Sequence, residues 1–309
     1  MPNAKKIQCD KIGNTPLVFL DKIKQSFNLE ANIYAKIESF NPAGSIKDRA
    51  AVALIEEGEK SGALKPGGTI VEATSGNTGI ALAAVGVAKG YRVIIVMPNS
   101  MSKERRDLIT SYGAELVLTD GNLGMQGAID MANEISKSTQ NCYQPKQFEN
   151  EANSLAHYLT TGPEIYRDLN GRVDVFISAI GTGGTVSGTG EFLREKNSNI
   201  EIFGVEPASS AVISGKNAGK HAIQGIGAGF IPKILKTQLL SGVICVTDEQ
   251  AFEYARLVRD KQNIAVGISS GAALFATLQI AKQKKYKDKN IVVIFPDGAD
   301  RYASTPLFD

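Results

Sequence analysis

Three short stretches of the chain bring together side chains whose types and spacing suit chemistry. The first is Asn41-Pro42-Ala43-Gly44-Ser45-Ile46-Lys47-Asp48-Arg49. Ser45 and Asp48 make a capping-box pattern, which predicts that a helix begins here. Lys47 then falls in the first helical turn, where the macrodipole disfavours a cation. A solvent-facing lysine tolerates that small penalty, and such lysines are common. A lysine used covalently gains from it, because positive potential and desolvation both favour the neutral amine that forms an imine. The second stretch, Thr74-Ser75-Gly76-Asn77-Thr78-Gly79, follows an apolar run and opens a helix-like segment. Unpartnered backbone N–H groups at a helix start bind anions, and uncharged hydroxyl and amide side chains add directed donors that suit a small carboxylate. A simple N-cap needs one such residue, whereas Thr74, Ser75, Asn77 and Thr78 supply four. The third, Gly181-Thr182-Gly183-Gly184-Thr185, has the same placement and reads as a phosphate cradle. Gly181 and Gly183 fit the dinucleotide fingerprint, but Val186 replaces its last glycine. Glu206, ending the next strand, stands roughly where a ribose-binding acid would. A nicotinamide-dinucleotide-binding protein is therefore the competing reading, weakened by Val186.

The elements that must position these stretches are legible as alternation. Short β-branched runs predict strands over 32–37, 69–72, 92–97, 115–118, 173–178, 201–206, 242–246 and 291–295. Helical patterns fall at 48–61, 77–89, 102–112, 124–137, 185–196, 248–262 and 271–284. Apolar strands alternating with helices of this length imply βαβ units, hence an α/β fold of mostly parallel sheets. The polar stretch 136–153 is the expected passage between two such units. In open α/β sheets ligands gather at the carboxyl ends of strands, where both glycine-rich turns lie.

Composition narrows the chemistry. With 34 Lys and Arg against 32 Asp and Glu in 309 residues, there is no basic excess for a nucleic-acid surface. The lysines between 282 and 289 end a helix-like segment, where cations suit the macrodipole. Two histidines leave few candidates for a metal site or a Ser-His-Asp site, so no metal is expected and the chemistry points to a bound cofactor. Three widely spaced cysteines do not make a disulfide framework, and the first ten residues lack the apolar stretch of an export signal. No segment is apolar for long enough to span a membrane. The expectation is a cytoplasmic protein.

A lysine nucleophile, a phosphate cradle and a carboxylate turn together describe a pyridoxal phosphate site for an amino acid. The chain resembles the cysteine synthases, the O-acetylserine sulfhydrylase branch of the β-family (fold type II, tryptophan synthase β-like) of pyridoxal phosphate enzymes. The resemblance rests on Gly13-Asn14-Thr15-Pro16-Leu17, the Lys47 stretch, Thr74 to Gly79, Met101-Ser102-Lys103-Glu104-Arg105-Arg106, Gln147-Phe148-Glu149-Asn150, Gly181 to Thr185, Gly225 to Pro232, and Gly267-Ile268-Ser269-Ser270-Gly271. These run in the family's order over nearly the whole chain.

The resemblance implies that Lys47 holds the cofactor as an internal aldimine and Asn77 hydrogen-bonds its 3′-oxygen. By the same match Gly181, Thr182, Gly183, Gly184 and Thr185 bind its phosphate, and Ser269 sits beside the pyridine nitrogen. A neutral serine there makes the ring a weaker electron sink, which suits β-elimination. The substrate carboxylate falls to Thr74, Ser75, Asn77 and Thr78, with help from Gln147. The implied reaction replaces the acetate of O-acetyl-L-serine by sulfide, through an α-aminoacrylate intermediate, with Lys47 as general base and L-cysteine as product. Ala228-Gly229 stand where cystathionine β-synthases carry Tyr-Asp, which favours the cysteine synthase branch. Related activities are the alternatives: a cystathionine or lanthionine synthase, or a cysteine lyase that releases hydrogen sulfide. Glu149 and Glu151 flanking Asn150, and Asp297 where a serine is usual, depart from the common pattern and bear on the preferred substrate. The implied architecture is a smaller mobile α/β domain over 48–150 with the carboxylate turn. A larger α/β domain over 1–47 and 151–309 would hold the phosphate loop. A homodimer, with a serine acetyltransferase as possible partner, completes the expectation.

Overall fold

Strands that are apolar on both faces need cover on both faces, and helices following each strand supply it. The computed structural model describes residues 5–74 and 76–308. Its elements begin with β1 (Leu17–Phe19), α1 (Asp21–Ser26) and β2 (Asn32–Ile37). They continue with α2 (Lys47–Ser61), β3 (Thr69–Ala73), α3 (Asn77–Ala88), β4 (Arg92–Pro98) and α4 (Lys103–Ser111). Next come β5 (Glu115–Thr119), α5 (Gly124–Ser138), β6 (Cys142–Tyr143), α6 (Ala152–Ala156) and α7 (Gly162–Asp168). The last are β7 (Val175–Ala179), α8 (Gly184–Lys196), β8 (Glu201–Pro207), β9 (Gly242–Val246), α9 (Asp248–Gln262), α10 (Ile268–Ala281) and β10 (Asn290–Phe295). A π-helical turn, His157–Thr161, joins α6 to α7. Among the described residues no helix is long and apolar enough to cross a membrane.

The chain divides into two compact units. The first holds the residues up to Ile12 together with Asn41–Asn153. Its sheet is parallel throughout, in the order β5-β4-β3-β6. Alternation along the strands sorts its core: Ile70, Ile95 and Met97 pack with Ile55, Ile80 and Ala84, while Val71, Ile94 and Val96 pack with Ala128 and Ala132. The unit is larger than the expected 48–150. Ile7, Cys9 and Ile12 pack against its core, and Lys5 N–H donates to Ser111 O. The 41–46 turn belongs to it as well, because the Ala43 N–H donates to Asp48 Oδ2 at 2.6 Å.

The second unit holds Gly13–Phe40 and the chain from Ser154 onward. Its sheet has the order β1-β2-β10-β7-β8-β9, parallel except for the β1–β2 pair. Here α10 is buried nearly all round, and its Leu274 and Leu278 share one cluster with Ile33, Val293 and Phe295. Five elements escaped the sequence pattern, the short α1 among them. β1 and β6 are too short for any periodicity, and α6 and α7 are separate pieces interrupted by the π-turn and Gly162-Pro163. The polar stretch 136–153 is no bare passage. It contains the end of α5 and the strand β6, which pairs with β3.

One charge lies deep in the second unit. Lys36 on β2 is fully buried, and its Nζ meets Glu164 at 2.9 Å, Asp168 at 3.4 Å and the Thr15 carbonyl at 2.6 Å. The Thr15 hydroxyl in turn donates to Glu38 at 2.6 Å, so the Gly13 to Leu17 stretch is pinned to the sheet through this cluster. Removing the cation alone takes the opposite charge away from a buried carboxylate. Lys36→Met is expected to lower unfolding stability by about 3–5 kcal/mol, read as a fall in the denaturant midpoint; an unchanged midpoint would refute the role given to the cluster.

Candidate active site

In the first unit, Lys47 is the first residue of α2. The helix start is where the Ser45–Asp48 pattern put it, but the capping box does not form: the N-cap is Ile46, Ser45 Oγ accepts from the Lys47 N–H at 3.2 Å, and Asp48 Oδ2 accepts from the Ala43 N–H. The Lys47 side chain is partly buried, and desolvation lowers its ammonium pKa to about 8. At neutral pH about a tenth of the amine is then free, roughly 300-fold more than an ordinary lysine offers.

The carboxylate turn sits between β3 and α3. Thr74 is anchored by its N–H to Val96 O on β4, its hydroxyl oxygen accepts from Gly76 N–H at 3.4 Å, and Asn77 opens the helix. Ser75 lies outside the described residues. The Thr78 hydroxyl donates to Gln147 Oε1 at 2.5 Å, with both residues buried. This bond joins two stretches that are 69 residues apart in sequence. It also commits the Thr78 proton, so the donor end facing away from the pair is the Gln147 amide nitrogen. Glu72, on β3, accepts from the N–H groups of Lys146 and Gln147, and desolvation raises its pKa to about 7.

The glycine-rich loop belongs to the second unit, between β7 and α8. Ile180 is held on both sides by backbone bonds to Val205 and Gly227. A Cβ on Gly181 would run into the carbonyl oxygen of Gly225, and Gly183 has φ +83 with Leu235 packed against it. Gly184 starts the helix with its N–H toward Thr182 Oγ1, and Thr185 Oγ1 lies 3.3 Å from His157 Nε2. Ser269 also sits at a helix start. The helix α10 begins at Ile268, three residues earlier than predicted, because the Gly267 N–H bonds to the Asp297 carbonyl and fixes the chain before it. Beside that bond the Tyr302 hydroxyl donates to Asp297 Oδ2 at 2.6 Å.

A family model described as pyridoxal-phosphate dependent enzyme matches residues 9–297. The chain belongs to this family. A cysteine synthase of Staphylococcus aureus is 48% identical over 298 residues, which is 96% of this chain and 95% of the relative. The crystal structure of a cysteine synthase (OASS) from Entamoeba histolytica superposes with a TM-score of 0.94 at 44% identity, covering 98% of this chain and 91% of that one. A hydrogen sulfide-producing enzyme from Fusobacterium nucleatum gives a TM-score of 0.91 at 44% identity, covering 95% and 98%.

The residues present fit the cofactor of a pyridoxal-phosphate dependent enzyme. Gly181 and Gly183 hold a tight turn that a side chain would push against Gly225 O and Leu235, and Gly181 to Thr185 offer only neutral donors at a helix start. The competing dinucleotide reading loses its acid, since Glu206 turns its carboxylate to the N–H groups of Ile213 and Ser214 and to the Ser214 hydroxyl. Two polar residues of these regions carried little sequence signal. Glu72 had one, a carboxylate inside an apolar parallel strand. His157 is fully buried between Thr161 and Thr185, and no local pattern foretold that.

Two outcomes follow for the cofactor. Gly181→Ala is expected to weaken pyridoxal phosphate binding at least about tenfold, read by absorbance titration of the apo-protein; unaltered affinity would argue against the cradle. The rate of cofactor uptake by apo-protein should rise with pH as Lys47 loses its proton, with its midpoint at about pH 8 and a plateau from about one pH unit higher. A stopped-flow profile still climbing at pH 10 would contradict the lowered pKa.

Proposed function

We propose that this chain makes L-cysteine by replacing the acetate of O-acetyl-L-serine with sulfide. The observation that carries the reading is the uncharged donor set at the start of α3, with buried Gln147 fixed to Thr78, shaped for an amino-acid carboxylate. The likeness to cysteine synthases over nearly the whole chain supports it.

In this reading Lys47 holds the cofactor covalently, Asn77 and Ser269 face its ring, and Gly181 to Thr185 take its phosphate. Bound pyridoxal phosphate supplies the electron sink that makes the substrate Cα hydrogen acidic. The Lys47 amine, neutral in useful fraction because its surroundings desolvate it, takes that proton from Cα and later returns it. The N–H groups at the start of α3, the Thr74 hydroxyl and the Gln147 amide hold the carboxylate and so fix Cα against the base. Ser75, Asn77 and Thr78 belong to the same set, Thr78 by orienting Gln147. Neutral donors bind the carboxylate without a competing cation that would raise the cost of releasing product.

A second reading has its own support. The Fusobacterium enzyme that produces hydrogen sulfide is as similar in sequence as the Entamoeba synthase. Against it, the resemblance puts an aspartate at this position in some sulfide-releasing members of the family as well, whereas here Gly229 holds φ +83, a conformation suited to glycine. The same family reading carries a homodimer, a serine acetyltransferase partner and a cytoplasmic setting. Exposed Leu155 and Leu159 support the first, and three cysteines outside disulfides support the last.

Lys47→Ala should abolish turnover and the visible absorbance of the covalently held cofactor; normal turnover in that variant would sink the assignment. Offered O-acetylserine with sulfide, or cysteine alone, the enzyme should favour the first pair by at least about tenfold in kcat/KM. The reverse preference would move it to the sulfide-releasing activity.

A further inference from the structure

Glu72 is an ionisable residue in the interior strand β3, 6% exposed and flanked in sequence by Val71 and Ala73. A carboxylate in such a place must be satisfied by donors or it costs several kcal/mol. Both oxygens are used on one short segment. Oε2 accepts from the Lys146 N–H at 3.2 Å and Oε1 from the Gln147 N–H at 3.4 Å. Lys146 has φ +52, a left-handed backbone that a residue with a side chain keeps when its surroundings impose it. Asn153 Nδ2 holds the same segment from its other side through the Gln147 carbonyl at 2.9 Å. Two residues beyond Glu72 the chain reaches Thr74, and the Thr78 hydroxyl then meets the Gln147 side chain.

We propose that Glu72 is a positioning residue: its carboxylate clamps the Lys146-Gln147 turn onto β3, so that the Gln147 side-chain amide is presented to the substrate carboxylate. The inference rests on the reading of Gln147 as a substrate-binding residue. An acceptor with no hydrogens is what two converging N–H groups require. A glutamine of the same shape offers one oxygen and turns an NH2 group toward the second N–H, so one bond is lost and a repulsion replaces it. Glu72 touches neither substrate nor cofactor in this assignment; it acts through Gln147.

The test uses the holoenzyme at pH 8, with the Glu72→Gln, Gln147→Ala and double variants, and hydrogen exchange at the 146 and 147 amides. Glu72→Gln is expected to raise KM for the amino-acid substrate about tenfold, the scale of one bond to a charged group. It should leave kcat within about threefold and the cofactor absorbance unchanged, while speeding exchange at 146 and 147. The double variant should be no worse than Gln147→Ala, since both act on one contact. If Glu72→Gln folds poorly, Glu72→Asp, which keeps the charge but draws it back from the 146 and 147 N–H groups, should shift KM in the same direction. An unchanged KM, additive effects in the double variant, or unaltered exchange overturns the proposal. If exchange quickens but Gln147→Ala leaves KM unmoved, the reading of Gln147 fails instead, and the clamp loses its part in catalysis.

Discussion

The first N–H groups of an α-helix have no partner within the helix, and a strand-turn-helix unit of a parallel sheet delivers them to the carboxyl edge of the strands. Apart from Gln147, the described residues singled out for chemistry stand at or beside such a start: Lys47 at α2, Thr74, Asn77 and Thr78 at α3, Gly181 to Thr185 at α8, Ser269 at α10. Fixed partial charge at these ends can meet a phosphate or a carboxylate with little help from arginine or histidine. A chain with two histidines and a net charge of +2 can therefore handle anionic ligands. The same potential keeps the Lys47 ammonium uncomfortable, and desolvation brings its pKa to about 8.

Buried ionisable side chains are kept for a different task. Glu72 on β3 and Glu206 on β8 are both buried, one in each unit, and each turns its carboxylate onto two successive backbone N–H groups of a distant loop. Lys36 does the converse, collecting a backbone carbonyl and two carboxylates around the Gly13 to Leu17 stretch. A buried charge with several partners fixes a loop more firmly than a neutral bond, because losing one partner strands the ion in low dielectric.

Much of this was legible in order of residues. Alternating β-branched runs and helical patterns gave the α/β class, and both glycine-rich turns were found where they lie. The elements that escaped were those whose stability comes from neighbours. β6 has two residues and exists because β3 offers it an edge; the pieces around the π-turn at His157–Thr161 have no uninterrupted period. The start of α10 was placed late because its anchor, the Gly267 to Asp297 backbone bond, joins positions thirty residues apart. The unit boundary at Asn41 was missed for a similar reason, since the Ala43 N–H is held by Asp48 inside α2.

By itself the sequence determined which residues are candidates for the chemistry: a lysine in a first helical turn, glycines in a turn that opens a helix, hydroxyls and amides in another. Those are local properties, set by side-chain type and by φ/ψ preference within a few residues. Only the tertiary structure decided how those side chains are held and ionised. The Thr78 to Gln147 bond, the turn gripped by Glu72, the Thr185 hydroxyl beside His157 and the lowered pKa of Lys47 all arise from burial and from contacts between distant segments. Desolvation is a property of everything packed around a group, and no window of sequence contains it.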